Sequence, residues 1–227
     1  MSPLNPQTVH QAPEIWRRVF LRPVALLLAS TLTACSTLLP LPASGGVLFQ
    51  DDFTRASSGW DQQREEHHLT SYVDGGYHIS ISAEDTLVWG RPHLDFNNVL
   101  IRVDAQKLAG TDDNVFGIIC RFKDPQNYIF LTISSDGFAG IGAVVAGERQ
   151  MLHADTMLPS ESVTTQDGIY HLETACVGDN LQLAVNGNTI LTAQSPLGPG
   201  GDVGLIAGSR NQAPVEIRFD YFSVIQP

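Results

Sequence analysis

Positive charge is scarce in this sequence. Thirteen Lys and Arg residues face 24 Asp and Glu residues, so the formal net charge at pH 7 is −11. Three of the arginines and one glutamate lie in residues 1–35, which leaves 10 basic and 23 acidic residues in the remainder. A surface of this sign repels phosphate backbones and anionic lipid headgroups. We therefore expect no nucleic acid partner and no direct binding of the folded part to a membrane.

A hydrophobic run long enough to be a comfortable membrane span is also missing near the start of the chain. The apolar run Pro23–Leu32 is far shorter than the roughly 20 residues that a bilayer requires. It follows three arginines between positions 17 and 22, a pattern typical of an export signal. The run ends in Leu32-Thr33-Ala34-Cys35, which resembles the lipobox of bacterial lipoproteins. The resemblance implies a signal peptide over residues 1–35 and a lipid on Cys35. The alternative is an ordinary secretory signal or an uncleaved anchor helix, in either case with an incidental cysteine.

Sustained helical periodicity is absent from the rest of the chain. Residues 36–46 are rich in Pro, Ser and Gly and are typical of a tether. Residues 47–227 instead contain short β-branched and aromatic runs, separated by turn sequences such as Asp136-Gly137 and Asn186-Gly187. Alternating side chains in these runs predict one domain of two packed antiparallel sheets, each with a buried and a solvated face. Ten or more strands favour an all-β jelly-roll sandwich.

The turns and aromatic residues of this region also carry a resemblance. The landmarks are Asp51-Asp52-Phe53, Asp74-Gly75-Gly76-Tyr77, Asp113-Asn114-Val115-Phe116-Gly117, Gly201-Asp202-Val203-Gly204 and Phe219-Asp220-Tyr221-Phe222. Their order and spacing resemble the concanavalin A-like lectin/glucanase superfamily, especially its laminin G-like members. The resemblance covers nearly all of residues 47–226. It implies that the first and last strands lie together, with Asp51–Phe53 beside Phe219–Val224.

Cysteine is rare, and only Cys120 and Cys176 remain once Cys35 is assigned to the lipid. An even number in an exported chain favours a disulfide. Cys120 alternates in phase with Ile118 and Phe122, so we expect these three side chains to point inward together. Two buried free thiols are the alternative to the disulfide.

Recognisable catalytic motifs are missing as well. The E-x-D-x-x-E pattern of laminarinase-type glucanases, G-x-S-x-G and H-E-x-x-H do not occur. We therefore predict a protein that is not an enzyme. A glycoside hydrolase whose two carboxylates come from separate strands is the alternative.

Two groups of residues are candidates for metal binding. Asp112, Asp113 and Asn114 offer the oxygen ligands that calcium prefers, although turn formation explains the same residues. Glu65-Glu66-His67-His68 is dense in ligand types, yet neighbouring side chains of an extended chain point to opposite sides. Calcium at residues 112–114 is thus a possible cofactor, and a solvated loop is expected at residues 65–68.

The aromatic residues supply the candidates for ligand binding. Trp60, Trp89, Tyr72, Tyr77 and Tyr128 are candidates for stacking on sugar rings, although most of them are expected to be packed in the core or at an edge. Trp89 lies two residues before Arg91, and such a pair at a strand end offers both stacking and hydrogen bonds to a sugar. Tyr128 is the third candidate.

These expectations combine into one functional hypothesis. The chain is predicted to be an exported lipoprotein of the cell envelope, attached to a membrane by the lipid and facing the extracytoplasmic side. Its lectin-like domain would bind carbohydrate or another envelope component through Trp89, Arg91 and Tyr128. The alternatives are a hydrolase on the same fold and a structural or protein-binding envelope module.

Overall fold

The computed structural model of the protein describes residues 45–227, so the predicted signal peptide, Cys35 and most of the predicted tether lie outside the described residues. The strands are β1 Val47–Asp51, β2 His68–Val73, β3 Gly76–Ile81, β4 Leu87–Gly90, β5 Val99–Gly110, β6 Asn114–Asp124, β7 Asn127–Ser134, β8 Phe138–Val145, β9 Glu148–Met151, β10 Leu158–Pro159, β11 Tyr170–Val177, β12 Asn180–Val185, β13 Asn188–Gln194, β14 Asp202–Ser209 and β15 Val215–Ile225. Within residues 45–227, no helix has the length and hydropathy needed to cross a membrane.

The strands form two antiparallel sheets. The eight-stranded sheet has the order β13-β12-β11-β5-β15-β3-β2, and β1 also pairs with β15. The seven-stranded sheet has the order β10-β8-β7-β6-β14-β4, and β9 also pairs with β8. Val47 pairs with Ile225 and Asp51 with Phe222, so the first and last described strands are neighbours, as the resemblance predicted.

The main core lies between the two sheets and follows from the alternation of side chains. Residues of β5, β11 and β15 alternate between buried and partly exposed positions, which places every second side chain in the core. Ile101 of β5, Ile118 of β6 and Leu205 of β14 are fully buried members of this core. The predicted pattern of one buried and one solvated face is therefore confirmed for the eight-stranded sheet.

The same pattern is wrong for the seven-stranded sheet. All eight residues of β14 are buried, and so are seven of the eight residues of β7. The outer side chains of this sheet form a second hydrophobic cluster, made of Ile119, Phe122, Tyr128, Phe130, Val144 and Ile206. The sheet is consequently apolar on both faces.

A disulfide joins the two sheets. Cys120 of β6 and Cys176 of β11 are fully buried and bonded, and their sequence separation is 56. The bond confirms the predicted pairing and excludes two free thiols. Closing a loop of this size stabilises the fold by about 4 kcal/mol on the chain-entropy model.

Candidate functional site

An aromatic cluster lies on the outer face of the seven-stranded sheet. Phe122 of β6 and Tyr128 of β7 come from consecutive strands, and Trp89 comes from β4, which is distant from both in sequence. The ring centroids of Phe122 and Tyr128 are 5.5 Å apart in a stacked arrangement, and Trp89 lies 5.7 Å from Tyr128 and 6.1 Å from Phe122. These separations are those of interacting aromatic pairs, so the three rings form one surface.

The position of Phe122 depends on an irregularity in β6. Arg121 has a φ of 55°, and the pairing of β6 with both neighbouring strands shifts register near this point. A bulge of this kind reverses the alternation that precedes it. Phe122 therefore points outward to the aromatic cluster, and the prediction that it points inward with Cys120 and Ile118 is wrong.

Arg121 itself points away from solvent and is 2% exposed. Its guanidinium donates a 2.8 Å hydrogen bond to the carbonyl oxygen of Leu197 and a further hydrogen bond to that of Gly178. Burial lowers the pKa of Arg121, while the charge of Asp179 opposes this change. The side chain thus connects two loops to the bulge that orients Phe122.

Arg91 covers one end of the cluster. Its guanidinium carbon lies 4.0 Å above the ring of Phe122, a cation–π geometry. The same guanidinium donates a 2.9 Å hydrogen bond to Oδ2 of Asp202. Oδ1 of Asp202 accepts hydrogen bonds from the amides of Leu94 and Val203, at 3.0 and 2.8 Å. These contacts fix the orientation of Arg91 over the aromatic rings.

Asp202 is a buried residue, 7% exposed to solvent. Burial raises the pKa of Asp202, although its amide donors and Arg91 act in the opposite direction. The group is therefore held at the end of the cluster at a cost in desolvation, and its hydrogen bonds offset that cost.

A groove of about 360 Å³ adjoins the cluster on the same face. Its lining includes Phe130, Ile206 and Met151, which belong to the outer hydrophobic cluster or pack against it. The remaining lining residues are Asp85, Thr86, Leu87, Val115, Thr132, Arg149, Met157, Ser209 and Arg210. The groove combines an apolar floor with polar groups at its margins, which is the composition of small-molecule sites.

Glycines keep the sheet surface beneath these side chains flat. A Cβ at Gly142 would lie 2.3 Å from the ring of Phe130, and one at Gly208 would lie 2.8 Å from the side chain of Leu87. Both distances are shorter than side chains tolerate, so these positions admit only glycine without movement of the neighbours. The side chains of Phe130 and Leu87 therefore lie flat against the sheet over these glycines.

Arg149 lies at the β9 side of the groove. Its guanidinium carbon is 5.8 Å from the centroid of Phe130, and the residue is exposed. Burial raises the pKa of Tyr128, and the nearby charge of Arg149 opposes this change. Arg149 thus lies close to both the groove floor and the aromatic cluster.

The structure brings the three predicted ligand-binding residues together. Trp89, Arg91 and Tyr128 all contribute to this one site, and Trp89 and Arg91 both contact Phe122. Sequence reasoning missed Phe122, because it overlooked the bulge, and Phe130, whose phase it did not use. The available signal was that Phe130 alternates in phase with Tyr128 within a run of four apolar residues, 128–131, which predicts apolar side chains on both faces of the strand.

The other predicted aromatic candidates lie elsewhere. Trp60 and Tyr77 are 3% and 0% exposed members of the main core, and their ring centroids are 5.3 Å apart. Tyr72 packs against them and its hydroxyl accepts a hydrogen bond from the backbone amide of Trp60. Burial raises the pKa of Tyr77, whose hydroxyl donates to the carbonyl oxygen of Asp61. These rings are structural, as expected.

The predicted calcium residues form part of a turn. Asp112 pairs with Lys107, and Asp113 accepts from Arg210 at 3.1 Å. Asn114 is fully buried. Its side-chain nitrogen donates a hydrogen bond to the carbonyl oxygen of Thr111, and its side-chain oxygen accepts one of 3.1 Å from the backbone amide of Ser135. A calcium ion bound by both aspartates would have to displace two cations, and calcium binding here stays a prediction.

Residues 65–68 lie on the surface. His67 Nε2 is 3.9 Å from Glu66, with the two side chains 59% and 87% exposed. His68 Nε2 is 3.2 Å from the side-chain oxygen of Gln63. Within residues 45–227, no group of three or more His, Cys, Asp or Glu residues has the geometry to hold a metal ion.

Comparisons with known proteins identify the fold. No protein-family model and no curated protein sequence matches this chain. Solved structures do match it. The carbohydrate binding module CBM66 from Bacillus subtilis has a TM-score of 0.59 and 12% identity, covering 74% of this chain and 96% of that one.

Two further structures have the same TM-score of 0.59. A protein of unknown function with a galectin-like fold from Bacillus subtilis is 16% identical and covers 80% of this chain and 96% of its own. The Bacillus licheniformis β-glucanase is 12% identical and covers 81% of this chain and 100% of its own. The described part of the chain therefore has the antiparallel jelly-roll fold of concanavalin A-like and galectin-like domains, as the sequence predicted.

Proposed function

We propose that this domain binds carbohydrate on the outer face of the seven-stranded sheet. The observation that carries the proposal is the convergence of Trp89, Phe122, Tyr128 and Arg91 beside an apolar groove. Sugar rings present flat apolar faces to aromatic side chains, and their hydroxyl groups bond to guanidinium and carboxylate groups. The likeness to a carbohydrate binding module and to glucanases supports the same class of ligand.

Trp89 is the residue expected to contact the sugar directly. It is half-buried, so part of its indole faces solvent, whereas Tyr128 and Phe122 are 3% and 5% exposed and support it from below. Arg91 is held by Asp202 and needs little reorganisation to donate to a ligand. A site that is ordered before binding loses less entropy when the ligand arrives.

The proposal includes the absence of catalysis. Glycosidases use two carboxyl groups on either side of the scissile bond, about 5–9.5 Å apart. Among the described residues that line the groove, Asp85 is the single carboxylate. The neighbouring Asp202 has its oxygens occupied by Arg91 and two amides. This arrangement supports a binding module over a hydrolase.

A glycan array probed with the full-length protein tests the proposed binding. We expect binding to at least one glycan, and a loss of about tenfold in affinity for Trp89→Ala, which corresponds to about 1.4 kcal/mol. Tyr221→Ala is the matched control, because Tyr221 is an aromatic residue on β15 and is 71% exposed. An array without any bound glycan, or equal losses for the two variants, would contradict the proposal.

Analysis of the bound glycan after prolonged incubation tests the non-catalytic part. We expect its chain length to remain unchanged. If new reducing ends appeared and their formation required Asp202, the protein would instead be a hydrolase.

We further propose that Cys35 carries a lipid that attaches the protein to a membrane of the cell envelope. The lipobox-like sequence and the preceding apolar run support this assignment. Two or three acyl chains, at about 0.8 kcal/mol per buried methylene, give stable attachment that the acidic domain does not supply. Mass spectrometry should find a lipidated N-terminal cysteine, and Cys35→Ser should move the protein to the soluble fraction. An intact leader with an unmodified thiol would contradict the assignment.

A further inference from the structure

The groove and its surroundings differ in charge from the rest of the molecule. Residues 36–227 contain 23 acidic and 10 basic residues. The groove lining reverses this balance, with Arg149 and Arg210 against Asp85. Arg91 lies beyond the aromatic cluster on the same face. Three of the ten basic residues therefore lie around one site. Arg91 pairs there with Asp202 and Arg210 with Asp113, so Arg149 carries the unpaired positive charge.

The two groove arginines approach from different sides. Arg149 belongs to β9, at one side of β8, whereas Arg210 follows directly after β14. Strands β8, β7 and β6 lie between them in the sheet order. A ligand that lies across the groove floor can therefore meet a guanidinium group on each side.

Arg149 has no carboxylate partner in the described part of the chain, whereas Arg210 pairs with Asp113 at 3.1 Å. Its guanidinium lies near the ring of Phe130 and is exposed. A guanidinium beside an apolar surface binds carboxylate or sulfate oxygens with two parallel hydrogen bonds. The apolar floor also reduces the competition from water at this position.

We infer that the groove binds an acidic glycan, one that carries carboxylate or sulfate groups on its sugar rings. The inference rests on the proposed function, since it names the class of carbohydrate for the same site. A neutral glycan would leave the Arg149 guanidinium without an anionic partner. The acidic balance of the remaining residues disfavours such a polymer elsewhere on the domain, which favours binding at this face.

Two matched pairs of polymers test the inference with the full-length protein. Polygalacturonate is compared with its carboxyl-reduced derivative, and dextran sulfate is compared with dextran. We expect the protein to bind at least one acidic polymer about tenfold more tightly than its neutral counterpart at low salt, with a preference that declines as salt is added. The two pairs also distinguish a carboxylate from a sulfate ligand.

Arg149→Gln should remove most of this preference, whereas Arg149→Lys should retain part of it because the charge remains. Arg102→Gln is the control, since it changes the net charge equally on the outer face of the opposite sheet, where Arg102 pairs with Glu173. If Arg149→Gln and Arg102→Gln lost the preference for the acidic polymer equally, net charge alone would explain that preference and the inference would be overturned.

The outcomes also separate this inference from the proposed function. Equal, Trp89-dependent binding of the acidic and neutral polymers would overturn the acidic preference and leave carbohydrate binding intact. Failure to bind any of the four polymers, or any glycan of the array, would overturn both.

Discussion

The outer faces of the two sheets differ in a way that locates the site. On the eight-stranded sheet, cross-strand polar pairs cover the outside, including the ion pair of Arg102 with Glu173 at 2.6 Å and the hydrogen-bonded pair of His171 with Asp104 at 2.6 Å. On the seven-stranded sheet, the same geometric positions hold Phe130, Ile206 and other apolar residues. Both sheets bury their inner faces equally well, so the core does not explain this difference.

The contrast indicates that the two outer faces serve different purposes. Opposite charges across strands keep a sheet surface solvated and stabilise it only slightly. The large apolar side chains of this outer face cover one another, since Phe122, Tyr128 and Phe130 are no more than 7% exposed, while Trp89 beside them is only half-buried. Such a face is typical of a binding surface.

Removal of the disulfide is expected to cause the largest loss of unfolding free energy, because the bond joins the two sheets that are compared. The double variant Cys120→Ala, Cys176→Ala should lose about 4 kcal/mol of unfolding free energy, measured by guanidinium denaturation. Reduction of the wild-type protein should give a similar loss. A loss below about 1 kcal/mol in both experiments would show that packing alone fixes the sheets.

Truncation of a side chain on the apolar outer face should cause the second-largest loss of unfolding free energy. Phe130 is 7% exposed, so Phe130→Ala should cost about 3 kcal/mol in unfolding free energy. Tyr221→Ala, at a position 71% exposed, should change stability by no more than about 0.5 kcal/mol. Equal effects of the two substitutions would mean that the outer cluster contributes no packing.

The polar outer face should respond least to substitution. Arg102 and Glu173 have side chains that are 46% and 36% exposed. Replacing both with alanine should therefore cost less than about 1 kcal/mol, as for other exposed ion pairs. A larger loss, measured by the same denaturation experiment, would show that this face stabilises the fold as strongly as the apolar face does.

The pH dependence of stability gives a smaller, directional test at Asp202. Burial raises the pKa of this carboxyl group above its ordinary value of 3.8, so the folded state holds the proton more tightly than the unfolded state. The contribution of Asp202 is thus most favourable below pH 3.8 and declines as the pH rises through the raised pKa. Relative to wild type, Asp202→Asn should become more stable as the pH increases over this window. A constant difference between the two proteins would contradict the raised pKa.

Calcium is expected to have the smallest effect. The carboxylates of Asp112 and Asp113 already pair with Lys107 and Arg210, and these pairs oppose cation binding. Millimolar calcium should leave the thermal midpoint unchanged. A rise that a chelator reverses would establish the predicted site, since a ligand that binds the native state stabilises it.

The sequence predicted the features that depend on local chemistry. Turn residues such as Asn186 and Gly187 have φ values of 51° and 79°, as expected for tight hairpins. Alternation predicted the strands of the eight-stranded sheet whose outer residues are polar. No β-branched or aromatic run predicts β13, Asn188–Gln194, because four of its seven residues are polar and exposed and pairing with β12 defines the strand.

The site was only partly predictable for a related reason. Trp89 and Arg91 are close in sequence, so their combination was visible. Phe122 was assigned to the wrong face because the bulge at Arg121 depends on contacts with distant loops at Gly178 and Leu197. Arg149 reaches the site through strand pairing that a sequence does not display.

The indole N–H signal of Trp89 in the NMR spectrum of the full-length protein tests the central claim most directly. Trp89→Phe assigns the signal, and the buried Trp60 provides an internal reference in the main core. On titration with oligogalacturonate, we expect the Trp89 signal to shift progressively while the Trp60 signal stays in place. Binding detected by calorimetry without any shift of the Trp89 signal would place the ligand elsewhere and contradict the assignment of the binding face.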